Sequence, residues 1–428
     1  MFQISIRLAG AAVLLSLGAL AAPAAAEPAA APLSLHEAIV RAQRDSPELA
    51  QFAFRLRAQS ARIDAAALRP AVELNLQVEN VLGSGRTRAL DAAETTFALS
   101  RVIELGAQGE RRLDAARGTL AELDLERQIA QLEVLAELSR RYIHVASDQK
   151  QLELTGLATT LAEKSAREVE RRVGAARSPV VELHRARIAL TRARVEQEHA
   201  EHELLSSRRK LAAMWGARDA DFGAVSAELF TLPAVGDYEM LLAQLQHSPE
   251  LLRFATEARQ RDAEIRLAEA KARASLTVSA GVRHLRETDD AALLAGVSLP
   301  LFSRARAQPG IAEARALREH VDARNSAAQV KAEASLFELV QELRHSITEA
   351  EMLRDEVLPQ MDAALAATEY AWQRGRYGYL EWTEAQRERI SVQRSLIEAA
   401  ANAHLFQVEI ERLTGAAMTD LRVSGVSP

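Results

Sequence analysis

A chain of 428 residues is long enough for about two or three ordinary domains or for one elongated, duplicated one. With 26% charged and only 4% aromatic residues, and abundant Ala, Leu, Glu and Arg, it reads as a chain of long helices. A formal net charge of -6 argues against nucleic acid as a partner, and the absence of cysteine excludes disulfides, thiolate metal sites, thiol nucleophiles and a lipid-modified N-terminal Cys.

The N-terminus carries Arg7, an apolar run from Leu8 to Ala22, and Ala24-Ala25-Ala26 before Glu27. A basic start, a short apolar stretch and an A-x-A site mark residues 1–26 as a secretory signal rather than an anchor helix. No later stretch reaches the roughly 18 consecutive apolar residues of a membrane helix, so any membrane insertion must use strands.

Leu35 to Leu68 is expected to be helical, with Ser34 and Glu37 as a capping box and Pro47 forcing a break near Asp45-Ser46. Val72 to Glu79 then alternates apolar and polar residues strictly, the pattern of a strand with two unlike faces. A polar turn, Gly83-Ser84-Gly85-Arg86, leads to a second strand from Thr96 to Ile103. Helical period returns from about 107 to 172, with Leu132, Leu135, Leu138, Tyr142 and Val145 near a 3.5-residue spacing. Such a helix is about 100 Å long, a column rather than a globular element. The chain reverses at Val173-Gly174-Ala175-Ala176-Arg177-Ser178-Pro179 and returns along a heptad ladder from Leu183 through Ala186, Leu190 and Ala193 to Met214, ending at Gly216.

After a linker at 217–237 the same words recur. Ser46-Pro47-Glu48-Leu49 returns as Ser248-Pro249-Glu250-Leu251, and Phe52 as Phe254. Leu276 to Arg283 repeats the first strand, Glu287-Thr288-Asp289-Asp290 the turn, and Leu293 to Leu299 the second strand. A long helix from Ile311 to Arg374, kinked or split at Pro359, reverses through Arg374-Gly375-Arg376-Tyr377-Gly378-Tyr379. A second ladder runs from Trp382 through Ala385, Arg389 and Leu396 to Leu413 and stops at Gly415. The expected division is two repeats, 27–230 (hairpin 72–103, helical hairpin 107–215) and 231–428 (hairpin 274–299, helical hairpin 311–414). Two hairpins give four strands, and single-chain barrels begin at about eight, so a barrel needs several chains. The bland alternative is a pair of ordinary hairpins on a soluble coiled-coil scaffold.

No Gly-rich phosphate loop, G-x-S-x-G or H-E-x-x-H is present, and nothing points to an enzyme or a cofactor. Glu198-His199-Ala200-Glu201-His202-Glu203 places two histidines on one helical face, a pattern read as a solvated charged face before a metal site. The helix turns carry more signal. Arg171, Arg172, Arg177, Arg374 and Arg376 gather there with Tyr377, Tyr379 and Trp382, in a chain poor in aromatics. Arginines complement helix C-termini, but Arg and aromatics together also mark docking surfaces.

In its order of signal, helix, hairpin, column, tip and ladder, all duplicated, the chain resembles the TolC family of outer-membrane efflux proteins. The resemblance implies a mainly α fold with a membrane β-barrel. Long coiled-coil hairpins form a periplasmic tunnel, and four strands per chain join a trimeric twelve-stranded barrel. It implies outer-membrane lipid, a homotrimer, a periplasmic adaptor (membrane fusion protein) and an inner-membrane RND transporter as partners, and no nucleic acid. Arg172, Val173, Gly174, Arg177, Glu182, Arg374, Gly375, Arg376, Tyr377, Tyr379, Leu380 and Glu381 then lie at the periplasmic tip, as adaptor contact or gate. Opening would break contacts between the tip arginines and nearby carboxylates. Phe302 through Ala314, with Arg374-Gly375-Arg376-Tyr377, resembles the CzcC/CusC-type subgroup that exports heavy-metal cations; multidrug and type I secretion outlets share the architecture. The alternating strand gives a lipid face (Val72, Leu74, Leu76, Val78) and a lumen face (Glu73, Asn75, Gln77, Glu79), the latter acidic and favourable to cations.

Overall fold

A computed structural model describes residues 31–416, and the expected signal at 1–26 lies outside them. The first half runs α1 (Leu35–Asp45), α2 (Pro47–Ala67), β1 (Val72–Glu79), β2 (Glu94–Ile103), α3 (Gln108–Gly174) and α4 (Val180–Ala212). The second half repeats that order: α5 (Tyr238–Gln246), α6 (Pro249–Lys271), β3 (Leu276–Leu285), β4 (Asp290–Ser298), α7 (Ser303–Met352), α8 (Leu358–Gln373) and α9 (Tyr379–Thr414).

Local chemistry sets the joints. The Ser34 hydroxyl accepts the Glu37 N–H at 3.2 Å, while the Glu37 carboxylate takes Arg41 at 2.8 Å instead of completing a capping box. Pro47 stands at the first helical position of α2, where its missing N–H costs nothing, and so separates α1 from α2. Each ladder ends on a glycine with positive φ, Gly216 at 77° and Gly415 at 72°. A Cβ on Gly216 would come 3.3 Å from Pro47 Cγ, and one on Gly415 2.7 Å from Pro249 Cδ. The start of α2 therefore seats on the end of α4, and the start of α6 on the end of α9. This is the same joint made twice.

The second long column differs from its sequence expectation. It begins at Ser303, not at 311, and continues through Pro309 and Gly310. Pro309 removes only one early N–H bond from a helix of 50 residues, a loss the rest of the helix absorbs. Near the far end a π turn, Leu353–Val357, links α7 to α8. The wider turn sits immediately before Pro359, which then falls in the first turn of α8 and needs no N–H partner.

All four strands form one antiparallel sheet in the order β1-β2-β3-β4. Its registers align Leu76, Phe97, Val282 and Leu293 in one row and Leu74, Leu99, Ala280 and Ala295 in the next, so one face is apolar. That face is bare: Leu74 is 70% exposed and Leu293 88%. β1 and β4 each keep one unpaired edge, a row of backbone donors and acceptors that demands pairing. The sheet is a partial barrel.

The helices make a single layer. α3 lies between α2 and α6 near the sheet and between α4 and α9 further away, while α7 packs on α6 and then α9. The linker closes the waist of this layer. Leu33 bridges Val225, and the buried Tyr142 hydroxyl sits 2.9 Å from the Leu33 carbonyl and 2.8 Å from that of Ser226. Burial pushes the Tyr142 hydroxyl up to about 12. In the second half, buried His404 on α9 holds the Leu229 carbonyl at 3.0 Å, and burial lowers its pKa. No described helix is long and apolar enough to cross a membrane.

Candidate functional site: the polar sheet face and the helical tip

The two tips are built alike. At the end of α3 the Arg177 N–H reaches the Arg172 carbonyl at 2.8 Å and the Ala176 N–H the Val173 carbonyl at 3.0 Å, around an Ala176 with φ of 54°. At the end of α8, Arg376 N–H reaches Ala371 at 2.9 Å and Gly375 N–H reaches Trp372 at 2.9 Å, around Gly375 with φ of 71°. Both are Schellman caps. The left-handed position is a glycine in one copy and an alanine in the other. Gly174, expected in the turn, is the last residue of α3.

Aromatic residues expected to be displayed at the tip instead divide into two groups. Tyr379 and Trp382 are only 3% and 5% exposed, and they bury Trp372 (2%) between the two hairpins. The Trp372 and Trp382 rings stack at 4.1 Å and 15°, and Tyr379 meets Trp382 edge-on at 6.1 Å. Trp382 is the first rung of its ladder, and a ladder position faces the partner helix rather than solvent. Tyr377 and Leu380 remain outside, 53% and 54% exposed, and at the start of α4 Val180 and Val181 are exposed too.

Arg172 joins the hairpins. Its guanidinium lies 4.0 Å from the centre of the Trp372 ring, donates to the carbonyls of Trp372 (3.1 Å) and Gln373 (2.8 Å), and stands 3.5 Å from Glu168. One side chain thus answers the last carbonyls of α8, stacks on its Trp and keeps its own carboxylate. Arg171 pairs with Glu168, and Arg374 lies 4.7 Å over the Tyr370 ring. Among the described residues, Arg177, Arg374 and Arg376 form no ion pair within the chain. Among the described residues, no carboxylate latches these three arginines. Gly174, Arg177, Gly375, Arg376 and Glu381 are exposed; Val173 and Glu182 are half-buried.

On the sheet, Glu73, Asn75, Gln77 and Glu79 share the face opposite the apolar rows. Glu79 is not a free acid there. Arg283 reaches it at 3.3 Å and also holds Glu94 at 2.8 Å and the Thr96 hydroxyl at 3.0 Å, while Asn80 donates to Glu94 at 2.8 Å. Arg283 and Glu94 escaped the sequence reading because their nearness to Glu79 depends on the pairing of β1, β2 and β3. His199 and His202 approach carboxylates of their own helix, Glu203 at 3.6 Å and Glu198 at 3.8 Å. No three His, Asp or Glu side chains converge as metal ligands among the described residues.

Residues 38–217 match the family described as Outer membrane efflux protein. That match lies in the first half of the chain, which resembles the outer-membrane efflux proteins. It is 25% identical over 394 residues to the cobalt-zinc-cadmium resistance protein CzcC of Cupriavidus metallidurans, covering 90% of this chain and 91% of that one. Its fold matches that of CusC with a TM-score of 0.75 at 14% identity, over 93% of this chain and 96% of the other. VceC of Vibrio cholerae matches with a TM-score of 0.71 at 18% identity, over 90% and 97%. The chain is thus similar in sequence to CzcC and in fold to CusC over most of its length.

Proposed function

We propose that three copies of this chain form the passive outer-membrane conduit of a tripartite efflux system. An RND-type inner-membrane pump delivers heavy-metal cations through a periplasmic adaptor, and this chain carries out no catalytic step. The observation that carries the reading is the four-stranded sheet with an apolar outer face and two free edges. It falls short of the roughly eight strands that a barrel needs, and three copies supply twelve. The similarity to a cobalt-zinc-cadmium resistance protein supports metal cations as cargo.

In this reading residues 27–230 and 231–428 act as two repeats that alternate around the conduit. Glu73, Asn75, Gln77 and Glu79 line the barrel. The tip around Arg177, Arg376, Tyr377, Leu380 and Glu381 meets the adaptor. Since Arg177 and Arg376 have no carboxylate partner among the described residues, a closed aperture would latch them across chains, and replacing both by Ser should raise single-channel conductance. Unchanged conductance sinks the gate.

Metal and dye accumulation in cells with and without the gene tests the cargo. Retention of zinc, cobalt, nickel, cadmium or copper only in the deletion strain supports the proposal. Retention of dyes or antibiotics alone makes the chain a multidrug outlet. A chain that washes from membranes with carbonate would be a scaffold, not a conduit.

A further inference from the structure

We infer that Arg283 sets the charge selectivity of the barrel at its loop end, by holding the Glu79 and Glu94 carboxylates under one positive charge. The inference rests on the conduit reading, in which the polar sheet face lines the water path.

The registers identify every residue on that face. β1 contributes Glu73, Asn75, Gln77 and Glu79; β2 contributes Glu94, Thr96, Ala98, Ser100 and Val102. β3 and β4 add Thr277, Ser279, Gly281, Arg283 and Leu285, then Asp290, Ala292, Leu294, Gly296 and Ser298. Of the charged groups on these four strands, Arg283 is the single base on the polar face; Glu73, Glu79, Glu94 and Asp290 are acids. Arg101 and His284 fall in rows on the opposite face.

Glu79 and Glu94 are paired directly across β1 and β2, an arrangement of like charges that opposes strand pairing. Arg283 answers both at once, and its Nε–H to Thr96, the residue directly opposite, fixes the guanidinium between them. The cluster is a clamp open to water, since all three side chains remain partly exposed. Beyond it toward the helices, the same face of β3 carries only Gly281, Ser279 and Thr277. The cluster is thus a separate step in charge from Glu73 at the other end of β1. Low-dielectric walls focus such fixed charge on the water between them.

Arg283→Gln removes the base and leaves both carboxylates facing the path; Glu79→Gln removes one acid and leaves the Arg283–Glu94 pair. Reversal potentials of the assembled full-length protein in planar bilayers, under a KCl gradient, read the outcome. At about 0.1 M salt the cation-to-anion permeability ratio should rise roughly twofold in Arg283→Gln and fall in Glu79→Gln. Both shifts should vanish at about 1 M, where charges are screened within about 3 Å. Arg283→Lys, which keeps the charge and loses the fork, should stay near the wild type. A permeability ratio that stays at the wild-type value in both neutralised variants would overturn the assignment, and Glu79→Gln alone decides it if Arg283→Gln fails to insert. A protein that stays silent even with Arg177 and Arg376 both replaced by Ser to open the tip would overturn the conduit reading itself.

Discussion

Replacing Arg172 with Gln should loosen the seam between the two tips. The substitution deletes a guanidinium stacked 4.0 Å from the Trp372 ring and its bonds to the carbonyls of Trp372 and Gln373. A partly desolvated cation–π contact is worth about 1–2 kcal/mol. Each charge-assisted bond to a carbonyl contributes about 1.5 kcal/mol at the low end, and the carbonyls recover part of this from water. The Arg172 side chain is 19% exposed, so screening trims the sum only modestly. A net loss of about 2–3 kcal/mol corresponds to roughly 30- to 150-fold more frequent separation of the hairpins. Hydrogen exchange of the last turn of α8 should accelerate by that factor, while α3 near Tyr142 stays protected. Arg172→Lys should show most of the same effect, since an ammonium neither stacks nor forks. Protection in α8 that changes by less than about threefold would refute the role assigned to Arg172.

The unequal caps make a second comparison. Ala176→Gly should stabilise the protein by about 1 kcal/mol, because Ala176 holds the left-handed conformation that Gly375 takes without penalty in the other copy. Thermal unfolding in detergent checks this, and a lowered midpoint would contradict it. In the same assay Gly415→Ala should cost more than Gly216→Ala, about 2 kcal/mol or above. Both positions have positive φ, but the added methyl meets Pro249 at 2.7 Å in one and Pro47 at 3.3 Å in the other. For His404, burial lowers the folded-state pKa beneath the ordinary 6.5, so the neutral ring contributes stability that is present above 6.5 and lost as pH falls through the folded value. Unfolding midpoints should drop on acidification in the wild type and drop less in His404→Gln; parallel pH profiles would exclude the ring as the cause.

Periodicity made the elements legible. Strict two-residue alternation placed β1 at Val72–Glu79 with its boundaries intact, and Pro47 marked the break between α1 and α2. The twin ladders, read from their 3-4 steps, became α4 and α9. Where single residues were judged by type, the reading slipped. Tyr379 and Trp382 were assigned to a display surface because aromatics favour interfaces, although Trp382 also stood on a ladder rung, and the rung decided its burial. Gly174 is expected within the turn, yet the left-handed residue falls two positions later, on an alanine. The second column, expected from Ile311, starts at Ser303 and runs straight through Pro309. Contacts between the copies were invisible for a different reason. Arg172 with Trp372, and Glu79 with Arg283, are about two hundred positions apart, and no local pattern fixes the register that joins them.

The pairing of β2 with β3 is where the first copy of the duplicated unit meets the second, and the free edges of β4 and β1 are the matching edges left over. A head-to-tail contact of this kind closes into a ring when its rotation is right and runs on as a filament when it is not. The chain contains one such contact already made, so in the proposed trimer its internal seam is a template for the curvature of the seams between subunits. Duplication also changes the statistics of closure. In a ring of three chains, three of the six seams form at the effective concentration of a tether, and two encounters assemble what six single units would need five to build.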